Sequence, residues 1–279
     1  MPTPKELYGA GNLRGAIDAL TQEIKANPTD KERRTFLFEL LSFAGEWDRA
    51  EKQLDAIVDG GDTQTTLAIM VYKANVKAER ERVKLFTQGT PPHFLNEPLD
   101  YVDRHVEALR LAKDGKLAEA RTMLDTCEDD RPAVSGTLGG EPFEDFRDYD
   151  DFVGPVLELI VKDKYVWLPF QQIKKIDVSS PKKLRDLIWA PARIEALDGT
   201  TGEVFVSALY AGSALEPDDM VKLGRMTDWK KLGEEVVRAV GLKTYLVGEH
   251  EKTVFELKNV QFDTPYTEPA KPAPAPVEG

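Results

Sequence analysis

The strongest candidate for chemistry in this 279-residue sequence is a run of acidic side chains near its middle. Its six carboxylates lie within 11 positions: Glu141, Glu144, Asp145, Asp148, Asp150 and Asp151. Aromatic side chains are interleaved with them: Phe143, Phe146, Tyr149 and Phe152. Such a run can hold a divalent cation or supply an acid and a base, but it lacks the alternating spacing and central glycine of a calcium loop. The favoured interpretation is a connector whose aromatics dock while its carboxylates stay in water; protein binding and catalysis are the alternatives.

Histidine and cysteine offer little further chemistry. The histidines, His93, His105 and His250, are far apart, and none belongs to a metal-binding spacing such as His-x-x-x-His. We therefore expect surface or packing roles for them. Cys127 is the only cysteine, which excludes an intramolecular disulfide and a four-cysteine zinc site. It follows Leu124 at helical spacing and is predicted to fill a helix interface, with a reactive thiol as the alternative.

The glycine-rich segments do not match phosphate-binding loops. Residues 9–15 are one position too long for Gly-x-Gly-x-x-Gly, and no strand precedes them. Residues 136–140 are not followed by Lys-Ser or Lys-Thr, and no Gly-x-Ser-x-Gly elbow is present. We therefore expect no cofactor, no metal ion and no catalytic residue, and predict that the protein is not an enzyme.

Charge and hydropathy exclude two further classes. The 37 basic and 49 acidic residues give a formal charge of −12, which argues against nucleic-acid binding. No apolar run approaches the ~20 residues that a membrane crossing needs. The first 13 residues lack the layout of a secretory signal. The sequence thus predicts a soluble, cytoplasmic protein without membrane insertion.

An internal repeat organises the first 130 residues, where apolar side chains recur at helical spacing. Residues 11–20, 45–54 and 115–124 share a glycine, a large apolar residue two positions later, an alanine at five and a leucine at nine. The glycines are 34 and 70 positions apart, close to one and two periods of a tetratricopeptide repeat. This pattern predicts stacked helical hairpins. Residues 74–86 should hold another unit but lack its glycine, so we expect a degenerate helix followed by a loop over 89–92.

From residue 136 onward, short runs rich in valine and isoleucine alternate with Gly, Pro and Asp. Strands are predicted at 164–168, 173–178, 193–197, 203–209, 244–247 and 254–262, and short helices at 152–161, capped by Asp150 or Asp151, and at 180–187, capped by Ser180. Hairpin-like connections such as 198–202 favour an antiparallel sheet. The fold class is therefore α+β: tetratricopeptide-like helical repeats (1–130), a mixed, mainly antiparallel sheet domain with short helices (131–264) and a disordered Pro/Ala-rich tail (265–279).

Four sequence blocks follow one another in the second half: 152–158 (FVGPVLE), 165–170 (YVWLPF), 184–192 (LRDLIWAPA) and 227–229 (TDW). In this order they resemble the signatures of the ImpE/TagJ family, accessory proteins of bacterial type VI secretion. The resemblance spans roughly residues 7–262; the Pro/Ala tail and the acidic run depart from it. It implies a tetratricopeptide-like front half and a non-enzymatic cytoplasmic adaptor. The implied partners are the N-terminal helix of the small sheath subunit, TssB, and in some systems the ATPase ClpV.

Stacked helices present a groove into which a partner's amphipathic helix can lay its apolar face. The acidic excess favours a partner helix with Lys or Arg at its rim. Candidate contact residues on the first helices of the repeats are Arg34, Phe38, Glu39 and Arg104, with ordinary helix surface as the alternative. Five residues of the family blocks are predicted to be core and turn-forming, with partner contact as the alternative: Trp167, Pro169, Phe170, Trp189 and Pro191. Two other functions stay open: a tetratricopeptide scaffold or co-chaperone for another complex, and a hydrolase that uses the acidic run.

Overall fold

The computed structural model describes residues 2–57, 61–233 and 236–263, so the predicted tail at 265–279 lies outside the described residues. Helices dominate up to residue 130. Their bounds are Pro4–Gly9 (α1), Leu13–Ala26 (α2), Lys31–Phe43 (α3), Trp47–Asp55 (α4), Thr63–Gln88 (α5), Asp100–Lys113 (α6) and Leu117–Asp130 (α7).

The repeat glycines Gly11, Gly45 and Gly115 join α1 to α2, α3 to α4 and α6 to α7. Each has a positive φ, of 83°, 66° and 78° respectively, which glycine adopts without steric cost. In every turn the residue after the glycine donates its N–H to the carbonyl five positions earlier, at 2.9 Å. The repeat alanines, Ala16, Ala50 and Ala120, are fully buried. The predicted helices and their tight turns are therefore confirmed, while the tetratricopeptide likeness stays a prediction.

The middle of the repeat region differs from the three hairpins. Residues 74–86 form a helix as predicted, but they belong to α5, an uninterrupted helix of 26 residues. Gly89 caps its C-terminus in the left-handed conformation, and the predicted loop follows. That loop leads to a two-residue strand, His93–Phe94 (β1), which pairs in parallel with a strand of the main sheet. The helical region thus contributes an edge strand to the sheet, which the sequence did not indicate.

The rest of the described chain is mainly sheet. Its strands are Gly136–Leu138 (β2), Glu141–Phe143 (β3), Phe146–Asp148 (β4), Val156–Val161 (β5), Lys164–Pro169 (β6), Ile173–Val178 (β7), Trp189–Ala196 (β8), Thr201–Ser207 (β9), Thr227–Leu232 (β10), Val236–Gly241 (β11), Thr244–Val247 (β12), His250–Thr253 (β13) and Val260–Phe262 (β14), with a short helix at Asp219–Lys222 (α8). The main sheet has the order β1-β6-β5-β9-β8-β7-β14-β2-β3. All its neighbouring pairs except β1–β6 are antiparallel. Two small sheets, β10-β11 and β13-β12-β4, complete the α+β fold.

Three secondary-structure predictions in this half are wrong at least in part. Residues 152–161 form a turn and β5, an interior strand of the main sheet whose first five residues are all buried; a continuous apolar run does not distinguish a buried strand from a helix. The predicted Ser180 cap is wrong, because only Leu184–Leu187 form a single 3₁₀ turn, and Asp186 accepts the backbone N–H groups of residues 182 and 183. Of 254–262, only β14 is a strand. The other predicted strands are confirmed, including the β8–β9 hairpin.

The helices cover one face of the main sheet. Tyr165 and Trp167 on β6 point into the core they share with the helices, and the alternating residues Val166 and Leu168 belong to a second core on the other face. Trp189 of the sheet packs against helix α3, where its ring centroid lies 6.0 Å from the ring centroid of Phe38. Trp167, Phe170 and Trp189 are at most 1% exposed, so their predicted core role is confirmed.

Candidate functional site

The four predicted contact residues do not form one surface. Phe38 is fully buried against Trp189, and Glu39 lies 3.4 Å from the Arg185 guanidinium at the same helix–sheet contact. Arg34 is half-buried and donates to the side chain of Gln53 and to the Pro28 carbonyl. Arg104 is 32% exposed and pairs with Asp130 at 2.5 Å. Only Arg34 and Arg104 therefore reach solvent, and contact with a partner stays a prediction for all four.

An apolar cavity lies between the helices and the sheet. It has a volume of about 410 Å³ and opens between the α3–α4 turn, α5 and the segment 209–215. We call it the helix–sheet groove; its principal apolar lining residues are Phe43, Trp47, Val83, Phe86, Leu209 and Leu215. Leu215 is 85% exposed and Val83 is 44% exposed, so the rim offers apolar side chains to solvent. Large apolar residues left exposed around a concave surface are typical of docking sites for other proteins.

One wall of the groove, the segment 209–215, is fixed by hydrogen bonds. The Arg82 guanidinium of α5 donates to the Leu209 carbonyl at 2.8 Å. The Tyr210 hydroxyl donates to the Thr244 carbonyl at 2.7 Å, and the Ser213 hydroxyl accepts the N–H of Gly241 at 2.8 Å. These partners lie on α5, β11 and β12, so the hydrogen bonds hold the segment against both the helices and the sheet region.

A chain of buried ionic groups lies behind the groove. We call it the buried charge network; it consists of Glu79, Arg82, Glu158, Lys243 and Asp148. The Lys243 ammonium lies 2.5 Å from Glu158 and 2.7 Å from Asp148. Glu79, at the other end, accepts the Trp189 indole N–H at 3.0 Å. The network therefore connects α5 to four parts of the sheet region, through residues 148, 158, 189 and 243.

Burial and ion pairing shift the pKa values of the carboxyl groups in this network in opposite directions. Burial disfavours the charged form of Glu158, but the Arg82 and Lys243 cations prevail and lower the pKa of this carboxyl far below its usual range. Burial prevails at Asp148 and raises its pKa to about 6 despite Lys243. It also raises the pKa of Glu79. These ionic side chains bond to one another and thereby tie α5 to the sheet.

The acidic run is only partly as predicted. Its aromatic residues Phe143, Phe146 and Phe152 are buried, which confirms docking. The carboxylates of Asp148 and Asp150 do not stay in water: the two residues are 3% and 1% exposed, and they pair with Lys243 and Arg238. Distant cations thus draw these carboxylates inward, and short-range sequence patterns do not reveal such partners. Among the described residues, no three His, Cys, Asp or Glu side chains are grouped as a metal site would need.

His105 and Cys127 occupy the interior. His105 is 4% exposed, and its Nδ1 lies 3.1 Å from the Phe152 carbonyl. This contact makes Nδ1 the protonated nitrogen, and within the described chain Nε2 has no hydrogen-bond partner. Burial lowers the pKa of His105 to about 4, so its ring is neutral near pH 7. Cys127 is buried as predicted, and burial raises the pKa of its thiol, which disfavours the reactive thiolate.

Comparison with known proteins places the chain in a family. Residues 140–261 match the family model described as ImpE protein. The chain is 32% identical over 259 residues to the type VI secretion system accessory component TagJ of Pseudomonas aeruginosa, covering 93% of this chain and 90% of that protein. An X-ray crystal structure of a Vibrio parahaemolyticus protein superposes with a TM-score of 0.85 at 27% identity, covering 93% of this chain and 97% of the other. No helix in the described ranges combines the length and apolar character of a membrane span. On this full-length similarity, the chain belongs to the ImpE/TagJ family.

Proposed function

We propose that this protein is an accessory component of a type VI secretion system and acts there as a non-enzymatic adaptor. The observation that carries the proposal is its 32% identity, over 93% of the chain, to a relative named as such a component. The ion pairing of Asp148 and Asp150 supports a role without catalysis, because the carboxylates that a hydrolase would use are bound to Lys243 and Arg238. We expect the protein to act in the cytoplasm.

The partner we propose is the N-terminal helix of the small sheath subunit, TssB, bound at the helix–sheet groove. A groove of about 410 Å³ lined by Phe43, Trp47 and Phe86 suits the apolar side chains on one face of a helix. Its walls are already held in place, so little ordering entropy opposes binding. The formal charge of −12 favours encounter with a helix that carries Lys or Arg beside its apolar face. By holding the sheath subunit, the protein would link the sheath to the ATPase ClpV.

The four predicted contact residues lie outside the groove lining and bear on this proposal in two ways. Arg34 and Arg104 reach solvent and are offered as contacts for acidic groups on the partner. Phe38 and Glu39 support the groove indirectly, because they hold α3 against Trp189 and Arg185. The same helix continues into Ser42 and Phe43, which line the groove. Substitution of the first pair tests contact directly, whereas substitution of the second pair tests support of the groove.

The test is co-purification of this protein with the small sheath subunit, either intact or without its first helix. We expect the intact subunit to be retained and the shortened subunit to be lost. Equal recovery of both forms would contradict helix binding while leaving the family membership unaffected. Adding ClpV to the retained complex tests the proposed link, which predicts a ternary complex that depends on this protein.

A further inference from the structure

The repeat contains a defect at its centre. Gly45 and Gly115 are 70 positions apart, so the glycine of a middle hairpin belongs at position 80, where the chain has Arg80. Without that glycine, α5 makes no turn and continues from Thr63 to Gln88. In the described chain no helix lies between Gln88 and the start of α6 at Asp100. The first half of α5 therefore has no second helix folded back on it, unlike α1, α3 and α6.

The exposed surface of α5 shows where that helix is missing. Leu67, Met70 and Val71 are 56%, 62% and 41% exposed, and their spacing puts them on one face. We call these three residues the α5 stripe. The same face continues into Ala78 and Leu85, which are fully buried, and α5 packs on α6 and β6. The stripe is thus the uncovered end of an interface whose other end is covered within the chain.

We infer that the α5 stripe docks an amphipathic helix of a partner protein, which takes the place of the missing second helix. The second helices of the three hairpins, α2, α4 and α7, indicate what fits there. They are 9–14 residues long, and each presents a buried alanine followed four positions later by a buried leucine. The small residue allows close approach of the two helices, and the leucine fills the adjacent space. A partner helix with this pattern is the proposed occupant.

A second copy of this chain fits the stripe less well. Three exposed side chains on one helix are far fewer than the roughly 20–30 residues that each partner contributes to a stable protein–protein interface. One docked helix, in contrast, needs only a narrow apolar seam.

The stripe is also separate from the helix–sheet groove. Val83 of the groove is 16 positions after Leu67, which puts it about 160° around the helix axis. One helix therefore presents two apolar surfaces on nearly opposite sides, and occupation of one leaves the other free. This inference does not depend on which partner occupies the groove.

The test uses a fluorescent peptide with the sequence of α2, residues 13–26, as the probe in anisotropy titrations with the full chain. We expect it to bind, and Met70→Glu or Val71→Glu to raise its dissociation constant about tenfold or more, because a carboxylate is then buried in an apolar seam. Leu232→Glu, at a residue of similar character that is 37% exposed on β10, is the matched control and should leave binding unchanged. A control peptide with Ile17→Asp and Leu20→Asp should not bind.

Three outcomes would overturn the inference. The first is absence of peptide binding to the wild-type chain, and the second is equal binding by Met70→Glu and wild type. The third is a dimer in sedimentation velocity that Met70→Glu dissociates, since the stripe would then belong to a second copy. Because Met70 and Val71 are exposed, thermal unfolding should show both variants to be as stable as wild type, so lost binding reports on the surface itself.

Discussion

Arg82 of α5 and Glu158 of β5 form a bidentate ion pair across the contact between the helices and the sheet. The Arg82 Nε and Nη2 atoms donate to the two carboxylate oxygens at 2.8 and 3.1 Å. Both residues are at most 4% exposed. Since Arg82 also donates to the Leu209 carbonyl, one side chain ties the long helix to strand β5 and to a wall of the groove.

We expect Arg82→Met to lower the free energy of unfolding by about 3–5 kcal/mol, because it leaves buried acceptors without their donor. Arg80→Met is the matched control. Arg80 is two residues away on the same helix and also contacts two carboxylates, Asp48 and Glu51, but its side chain is 34% exposed. Its loss should cost about 1 kcal/mol or less. Urea denaturation of both variants measures the difference, and similar losses would show that burial does not set the strength of the Arg82 pair.

His105 should make the protein less stable in acid. Its pKa falls from 6.5 to about 4 on burial, so between these values the unfolded chain binds a proton that the folded chain does not. The free energy of unfolding therefore rises as the pH increases from 4 to 6.5. His105 alone contributes about 3 kcal/mol to this rise. His105→Phe, which has a ring but no titrating group, should gain that amount relative to wild type as the pH falls from 6.5 to 4.

The difference between variant and wild type is the quantity to measure, because Asp148 acts in the opposite direction. Its pKa is raised to about 6, so the folded state binds the extra proton and this residue favours folding in acid. Subtracting two urea titrations at each pH removes that common contribution. His250→Phe, at an exposed position on β13, is the control. A difference between His105→Phe and wild type that does not vary with pH would refute the buried neutral state of His105.

Local patterns predicted the helical hairpins because their determinants are close in sequence. A glycine with positive φ and an alanine five residues later describe the turn and the helix contact within ten residues. Strand β5 was mistaken for a helix because its run Val156–Val161 is buried on both faces and has no alternation. The pairing of β1 with β6 joins residues about 70 positions apart, which no local pattern encodes.

The groove and the buried charge network depend on contacts between residues that are even farther apart in the sequence. Glu158 meets Arg82 across 76 positions, and Asp148 meets Lys243 across 95. One signal was nevertheless present: Glu158 interrupts the apolar run Val156–Val161, and a charge in a buried strand requires a buried partner. The sequence did not identify that partner. Their position on a first helix predicts a surface role for Phe38 and Glu39, but in α3 the face that carries them packs on the sheet.

The groove makes a prediction about partner binding. Leu215→Glu should weaken binding of the small sheath subunit about tenfold or more, since it places a carboxylate at an apolar rim. Folding should be unaffected because Leu215 is 85% exposed. Leu95→Glu, at a 38% exposed leucine just after β1, is the control and should bind as wild type does. If Leu215→Glu retains full affinity while removal of the subunit's first helix abolishes binding, the helix docks elsewhere and only the placement in the groove is wrong.

The repeat glycines give a final prediction, which separates backbone strain from crowding. Gly45 and Gly115 occupy equivalent turns with φ of 66° and 78°. A Cβ at Gly115 would meet no atom within 4 Å, so Gly115→Ala should cost about 1–2 kcal/mol from the left-handed conformation alone. A Cβ at Gly45 would lie 2.8 Å from the Ala214 Cβ in the wall of the groove. Gly45→Ala should therefore cost more and should also displace segment 209–215, which hydrogen exchange of its amides detects. Equal costs for the two variants, with unchanged exchange in 209–215, would show that the α3–α4 turn does not support the groove.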